Sequence, residues 1–94
     1  MATLFVRHTV KDYATFKRVY DEVAPLRKEW GVTRASVHRD AEDPNTIVVT
    51  HRFKDVEDAK AFAHADELKS AMEKAGVKGA PTFWFTTDVE ETAY

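Results

Sequence analysis

Apolar positions along the chain switch between two periods. Residues 3 to 10, TLFVRHTV, are β-branched and aromatic and predict a strand, with Asp12 placed to cap a helix immediately after it. From Tyr13 onward, Phe16, Val19, Tyr20, Val23, Leu26 and Trp30 recur every three or four residues, which predicts a helix that Gly31 closes. Pro25 falls inside that helix and should kink or break it between Asp21 and Ala24. Residues 32–39 and 46–53 predict two strands flanking DAEDPN, whose Asp-Pro-Asn favours a turn, so the pair should form a hairpin. A second helical stretch, 55–75, carries Asp58, Ala61, Ala65, Leu68, Met72 and Ala75 near one stripe and stops at Gly76. Asp66 can act as a new N-cap within it, so one helix and two both fit. TFWFTT, 82–87, predicts the last strand, and an acidic tail follows.

The order β-α-β-β-α-β implies an α+β, ferredoxin-like fold: a four-stranded antiparallel sheet in the order 4-1-3-2, with the helices on one face. Residues 1–88 should form a single domain and 89–94 an acidic C-terminal tail. A sheet covered on one side needs a second layer on the other, most economically the same face of another copy. Alternation assigns Phe5, Val48, Phe83 and Phe85 to that open face, together with Arg7, Thr50 and Arg52. Burying even two of the phenylalanines is worth roughly 3–6 kcal/mol, and a homodimer through the open sheet face is expected.

Composition narrows the chemistry. With 94 residues, 44% of them hydrophobic, the chain is long enough for one modest core. A net charge of −2, with acids and bases interspersed, leaves no footprint for nucleic acid. The absence of cysteine removes disulfides, thiolate nucleophiles and most structural zinc sites. No run approaches the roughly 18 apolar residues of a membrane span, so neither membrane nor nucleic-acid partners are expected and the cytoplasm is the expected location. Asp40, Glu42 and Asp43 crowd one loop, best read as a solvated turn, and no metal is expected.

Polar residues interrupt the apolar faces of the two central strands. Leu4, Val6 and His8 share one face, as do Ile47, Val49, His51 and Phe53. An offset of four residues, ~13 Å at 3.3 Å each, separates the two histidines along antiparallel strands and keeps them from sharing one metal. Two groupings are therefore expected: His8 with Tyr13, an inward-pointing Trp84 and His64, and His51 with Arg27. His64 sits about 60° from the apolar stripe on a helical wheel, at the border of the core. If the helix continues past Pro25, Arg27 lies at the centre of the first helix's stripe, where a buried guanidinium requires an anion or dense hydrogen bonding, from an acid such as Glu57 or from an acidic or phenolate-like ligand. Tyr13, Tyr20 and Trp84 can wall a flat aromatic ligand.

The run VKDYATFKRVYDE…LRKEWGV…HRDAEDPNTIVV…AKAFAHADELKSAMEKAGVKGAP resembles small proteins of the dimeric α+β barrel superfamily, of the antibiotic-biosynthesis-monooxygenase-like and cyclase type, across roughly residues 6–88. The resemblance implies a dimeric α+β barrel with a cleft between helices and sheet. It also implies a cofactor-independent oxygenase or cyclase acting on an aromatic or polyketide-like substrate, with no bound cofactor. In that chemistry His8 or His64 is the base, and Arg27 or Arg39 steadies the anion. Tyr13, Tyr20, His51 and Trp84 complete the substrate contacts. His64 with Ser70 is similar to the histidine-and-serine pattern of haem-degrading members. Those members also need an asparagine on the first strand and a tryptophan at the end of the third, where this chain has Phe5 to His8 and Phe53. The alternative is a non-catalytic dimer that binds a small hydrophobic molecule or a protein partner.

Overall fold

The computed structural model describes all 94 residues. Its elements are β1 (Ala2–Val10), α1 (Tyr13–Glu22), α2 (Ala24–Glu29), β2 (Arg34–Arg39), β3 (Thr46–Phe53), α3 (Val56–Ala63), α4 (Asp66–Lys74) and β4 (Val77–Thr87). Each helical stretch of the βαββαβ pattern is thus divided in two. Asp12 caps α1 by accepting the Thr15 amide at 2.7 Å, and Asp55 caps α3 by accepting the Asp58 amide at 2.9 Å. Pro25 breaks the first stretch at Val23 and sits in the first turn of α2, where its missing N–H costs nothing. The second stretch breaks at His64, and Ala65 rather than Asp66 is the cap residue of α4. Asp66 and Glu67 instead occupy the first turn, where their charge suits the positive end of the helix dipole. This break resets the helix rotation. The buried face runs through Ala59, Phe62, Ala65, Leu68 and Ala71, while Ala61, expected on the stripe, is exposed.

Gly76, at φ 81°, turns the chain from α4 into β4. Its carbonyl accepts the Lys11 amide at 2.9 Å, and a Cβ there would approach the Lys11 Cβ to 3.3 Å. No helix is long and apolar enough to cross a membrane.

The strand order β2-β3-β1-β4, all antiparallel, is the expected 4-1-3-2 order read from the other edge. Leu4, Val6, His8 and Val10 face the helices beside Ile47, Val49, His51 and Phe53, and all eight are buried. Phe5, Arg7, Val48, Thr50 and Arg52 lie on the open face, as expected. Arg52 meets Asp88 there at 3.3 Å, and Thr3 donates to the same carboxylate at 2.6 Å.

β4 departs from expectation. Val6 pairs with Phe83 and Leu4 with Phe85, so both phenylalanines lie on the helix side, and Trp84, opposite Phe5, lies on the open face. Directly paired residues share a face of the sheet, and this pairing fixes the alternation of β4. Phe83 packs against the core, whereas Phe85 and Trp84 remain 36% and 47% exposed. Between Arg7 opposite Thr82 and Thr9 opposite Lys78, β1 advances two residues and β4 four. The two extra residues form a bulge at Gly79–Ala80–Pro81, alongside His8.

The core has two halves. Leu4, Val6, Phe53, Ala59, Phe62, Ala65 and Leu68 form one beneath α3 and α4. Val10, Phe16, Val19, Ile47, Val49 and Ala75 form the other, chiefly beneath α1.

Candidate functional site

A cavity of about 50 Å³ occupies the seam between these halves, bordered by Val6, Phe62 and Leu68 from one and by Phe16, Val19 and Val49 from the other. Thirteen of its sixteen lining residues are hydrophobic, and the other three are His8, Arg27 and His51. Sheet pleating aims both histidines at the helices, where they are 6% and 5% exposed. Each ring is tilted against an aromatic neighbour: the His8 ring centre lies 5.4 Å from that of Phe16, and the His51 ring centre 5.1 Å from that of Phe62. The four-residue offset stands, since His8 pairs with Ile47 while His51 pairs with Leu4. Yet the two residues do not form separate groupings; both reach the same seam. No cluster of three or more metal-ligating side chains forms.

The Nδ1 atoms of both histidines are buried without a hydrogen-bond partner. An unmet buried polar atom costs about 1–3 kcal/mol, which an apolar core has no reason to bear twice in one place. Burial holds both rings neutral. It lowers the His8 pKa below its usual 6.5, against a weaker opposing contribution from its own backbone. It pushes His51 down to about 3, with the positive Arg27 and then His8 adding to the effect. At neutral pH each ring therefore carries one unprotonated nitrogen able to accept a proton.

Arg27, on α2, lines this cavity. Its guanidinium lies 3.7 Å from the centre of the Tyr20 ring and donates from Nη1 to the Tyr20 carbonyl at 2.7 Å. No carboxylate lies within salt-bridge distance of it, so the expected pair with Glu57 does not form. Desolvation pulls its pKa down, and the neighbouring Tyr20 and Asp21 pull it back up. An arginine stacked on an aromatic face keeps donors free for an incoming anion.

His8, Tyr20, Arg27 and His51 therefore come together. Tyr13, His64 and Trp84 do not join them. Phe16 stands between Tyr13 and His8, with ring centres 6.1 Å and 5.4 Å away, and Tyr13 instead packs beneath Arg39 at 4.4 Å. Arg39 also donates to the Pro44 carbonyl at 3.1 Å, away from the cavity. His64 ends α3 as an exposed cap residue, because the helix stops where a continuous one would have carried it along the core border. Trp84 is on the opposite side of the sheet.

His64 borders a second cavity of about 460 Å³ between the α3–α4 junction, α4 and the β4 bulge. Leu68, Met72 and Val77 line both cavities. Sequence periodicity marks Leu68 and Met72 as neighbours four apart on one helix face, but the second cavity depends on the bulge, which periodicity does not encode.

The fold recurs among solved structures. A Bordetella bronchiseptica protein given as a candidate antibiotic biosynthesis monooxygenase superposes with a TM-score of 0.80 at 15% identity, over 95% of this chain and 97% of that one. SnoaB, a cofactor-independent oxygenase from Streptomyces nogalater, gives 0.75 at 17% identity over 96% and 94%. The NE2512 protein of unknown function from Nitrosomonas europaea gives 0.75 at 19% identity over 99% and 93%. At such identities the likeness is one of fold. No curated protein matches the sequence. The model of the antibiotic biosynthesis monooxygenase family, however, matches residues 5–74, from β1 to the end of α4. Over that span lie the sheet's two central strands, both divided helical stretches and all four converging side chains, and the chain belongs to the antibiotic biosynthesis monooxygenase family.

Proposed function

We propose that the protein is a cofactor-independent oxygenase of aromatic, polyketide-like phenols, working as a homodimer through the open sheet face. The observation that carries this reading is the pair of buried histidines with unpartnered nitrogens beside an arginine that has no carboxylate partner, all in an otherwise apolar seam. A phenol or hydroxyanthrone places its acidic edge in the seam. His8, the less strongly depressed of the two imidazoles, takes the proton, and the Arg27 guanidinium faces the resulting anion. Negative charge beside the ring in turn raises the His8 pKa, so proton transfer becomes more favourable as the anion forms. The electron-rich anion then reacts with dioxygen. In the net change a ring CH₂ becomes C=O, one oxygen atom stays in the product and the other leaves as water with the two hydrogens. The substrate supplies all the electrons.

Support for the dimer is the open face itself, where Phe5, Val48 and the half-exposed Trp84 lie together. Oxygen uptake measured over a panel of hydroxylated anthrones and naphthols tests the activity. The wild type is expected to exceed the buffer rate, and His8→Leu is expected to lose at least a hundredfold of that excess. A wild type no faster than buffer across the panel refutes the oxygenase reading.

One observation favours a second reading, non-catalytic binding of a small hydrophobic molecule. A histidine held near pKa 3 is a poor base but a good hydrogen-bond acceptor. Ligands that raise the melting temperature yet are recovered unchanged after aerobic incubation select this reading over catalysis.

A further inference from the structure

A cavity of about 50 Å³ has room for a water molecule or two, not for an aromatic ring; benzene needs a void of roughly 150 Å³. The neighbouring cavity, at about 460 Å³, is large enough for two or three fused rings. Its lining includes Ala65, Pro81 and Phe83 alongside His64, Lys69 and Glu73, so it offers apolar surface together with polar groups. The partition between the two is Leu68, Met72 and Val77. These three differ in how readily they move. Leu68 is 8% exposed within the packed core, and Val77 is β-branched on a strand paired with Val10. Met72 is only partly buried, packs at the edge of the core and is unbranched, a side-chain type with three rotatable bonds that adapts most easily to a changed space.

We propose that the two cavities are one ligand site in two chambers, in which displacement of the Met72 side chain lets an aromatic ligand lie in the outer chamber with its hydroxyl edge against His8, so that Met72 sets which ligands reach the histidines. This rests on the seam being the binding site proposed above. It adds where the body of the ligand lies and which residue controls access. Widening the partition helps long ligands, and filling it confines them to the outer chamber.

The chain has only two methionines, Met1 and Met72, so a sample labelled with ¹³C at the methionine methyl gives two signals. Titration with 1-naphthol should move the Met72 methyl and the His8 and His51 imidazole nitrogens along one binding curve, together with the Ala80 and Phe83 amides. In Met72→Phe the outer-chamber amides should still respond, the histidines should not, and affinity should fall at least tenfold. Met72→Leu, of similar volume, should stay within threefold of the wild type, which separates blockage from misfolding. Histidine responses in Met72→Phe at unchanged affinity overturn the proposal, as does a wild type in which the histidines respond without Met72 and Ala80. If no variant responds to naphthol, this proposal and the binding-site reading fall together. If all five residues respond but no oxygen is consumed, the two-chamber site stands and the oxygenase reading falls.

Discussion

His51→Leu tests the electrostatics of the seam through stability alone. In the folded chain His51 titrates near 3, against 6.5 when unperturbed. Between these values the unfolded chain binds a proton that the folded chain refuses, so stability falls as the pH drops below about 6.5. At pH 5, 1.5 pH units below the unfolded value of 6.5, that single proton costs the fold about 1.4 kcal/mol per pH unit, a loss of about 2 kcal/mol. For a domain of this size that is a sizeable share of total stability, which is about 5–15 kcal/mol. His8, also depressed, pulls in the same direction. The lowered carboxylates Asp12 and Asp40 start from 3.8 and act only below this window. Urea unfolding at pH 7.5 and pH 5, at one fixed protein concentration, gives the two slopes. The wild type should lose about 2 kcal/mol more than His51→Leu across the interval. Parallel losses agreeing within about 0.5 kcal/mol would refute the claim that His51 is buried uncharged, because a solvated or ligand-paired imidazole carries no such penalty.

Three further outcomes are expected. Trp84→Asp places a charge on the open sheet face beside Phe5 and should give a monomer, or an unfolded chain, in sedimentation velocity at micromolar concentration, whereas Lys17→Asp on the outer face of α1 should give neither. A monomeric wild type refutes the sheet-to-sheet assembly. Arg27→Met removes the seam's only cation and should weaken binding of 1-naphthol about tenfold at a pH where the naphthol is ionised, with little change where it is neutral; equal weakening at both would refute its role towards the anion. Asp55→Ala deletes the cap that accepts the Asp58 amide at 2.9 Å and should cost about 1 kcal/mol in thermal or urea unfolding, without altering oligomeric state.

Much of this architecture is legible in the residue pattern, because the features that specify it are local. Asp12 and Asp55 cap helices, Pro25 divides one, and alternation from Leu4 to Val10 and from Ile47 to Phe53 assigns inner faces without reference to anything distant. Phe83-Trp84-Phe85 carries no such signal, since three aromatic residues in succession fit either face. Only pairing with β1, downstream of a bulge, decides between them. The site was legible to the same degree. His8, His51 and Arg27 stand out as polar residues on apolar faces, and Tyr20 follows from its position on the Arg27 stripe. Their meeting in one seam depends on how two halves of a core fail to close, which no periodicity expresses. His64 lies in the second cavity and not beside His8, because a helical wheel assumes a continuous helix and this one ends at the residue in question.

The bulge in β4 adds two residues, and an even number leaves strand alternation undisturbed: Lys78 and Thr82 point to the same side of the sheet, as do Val77 and Phe83. Chain length at Gly79–Ala80–Pro81 can therefore change by pairs while everything towards the C-terminus keeps its orientation. A change of one residue would turn Phe83 and Phe85 outward and Trp84 inward, inverting the lining of one compartment and the open face of the sheet in the same stroke. For divergence among proteins built this way, the outer compartment is a part that can be lengthened or shortened in steps of two, independently of the sheet that carries it.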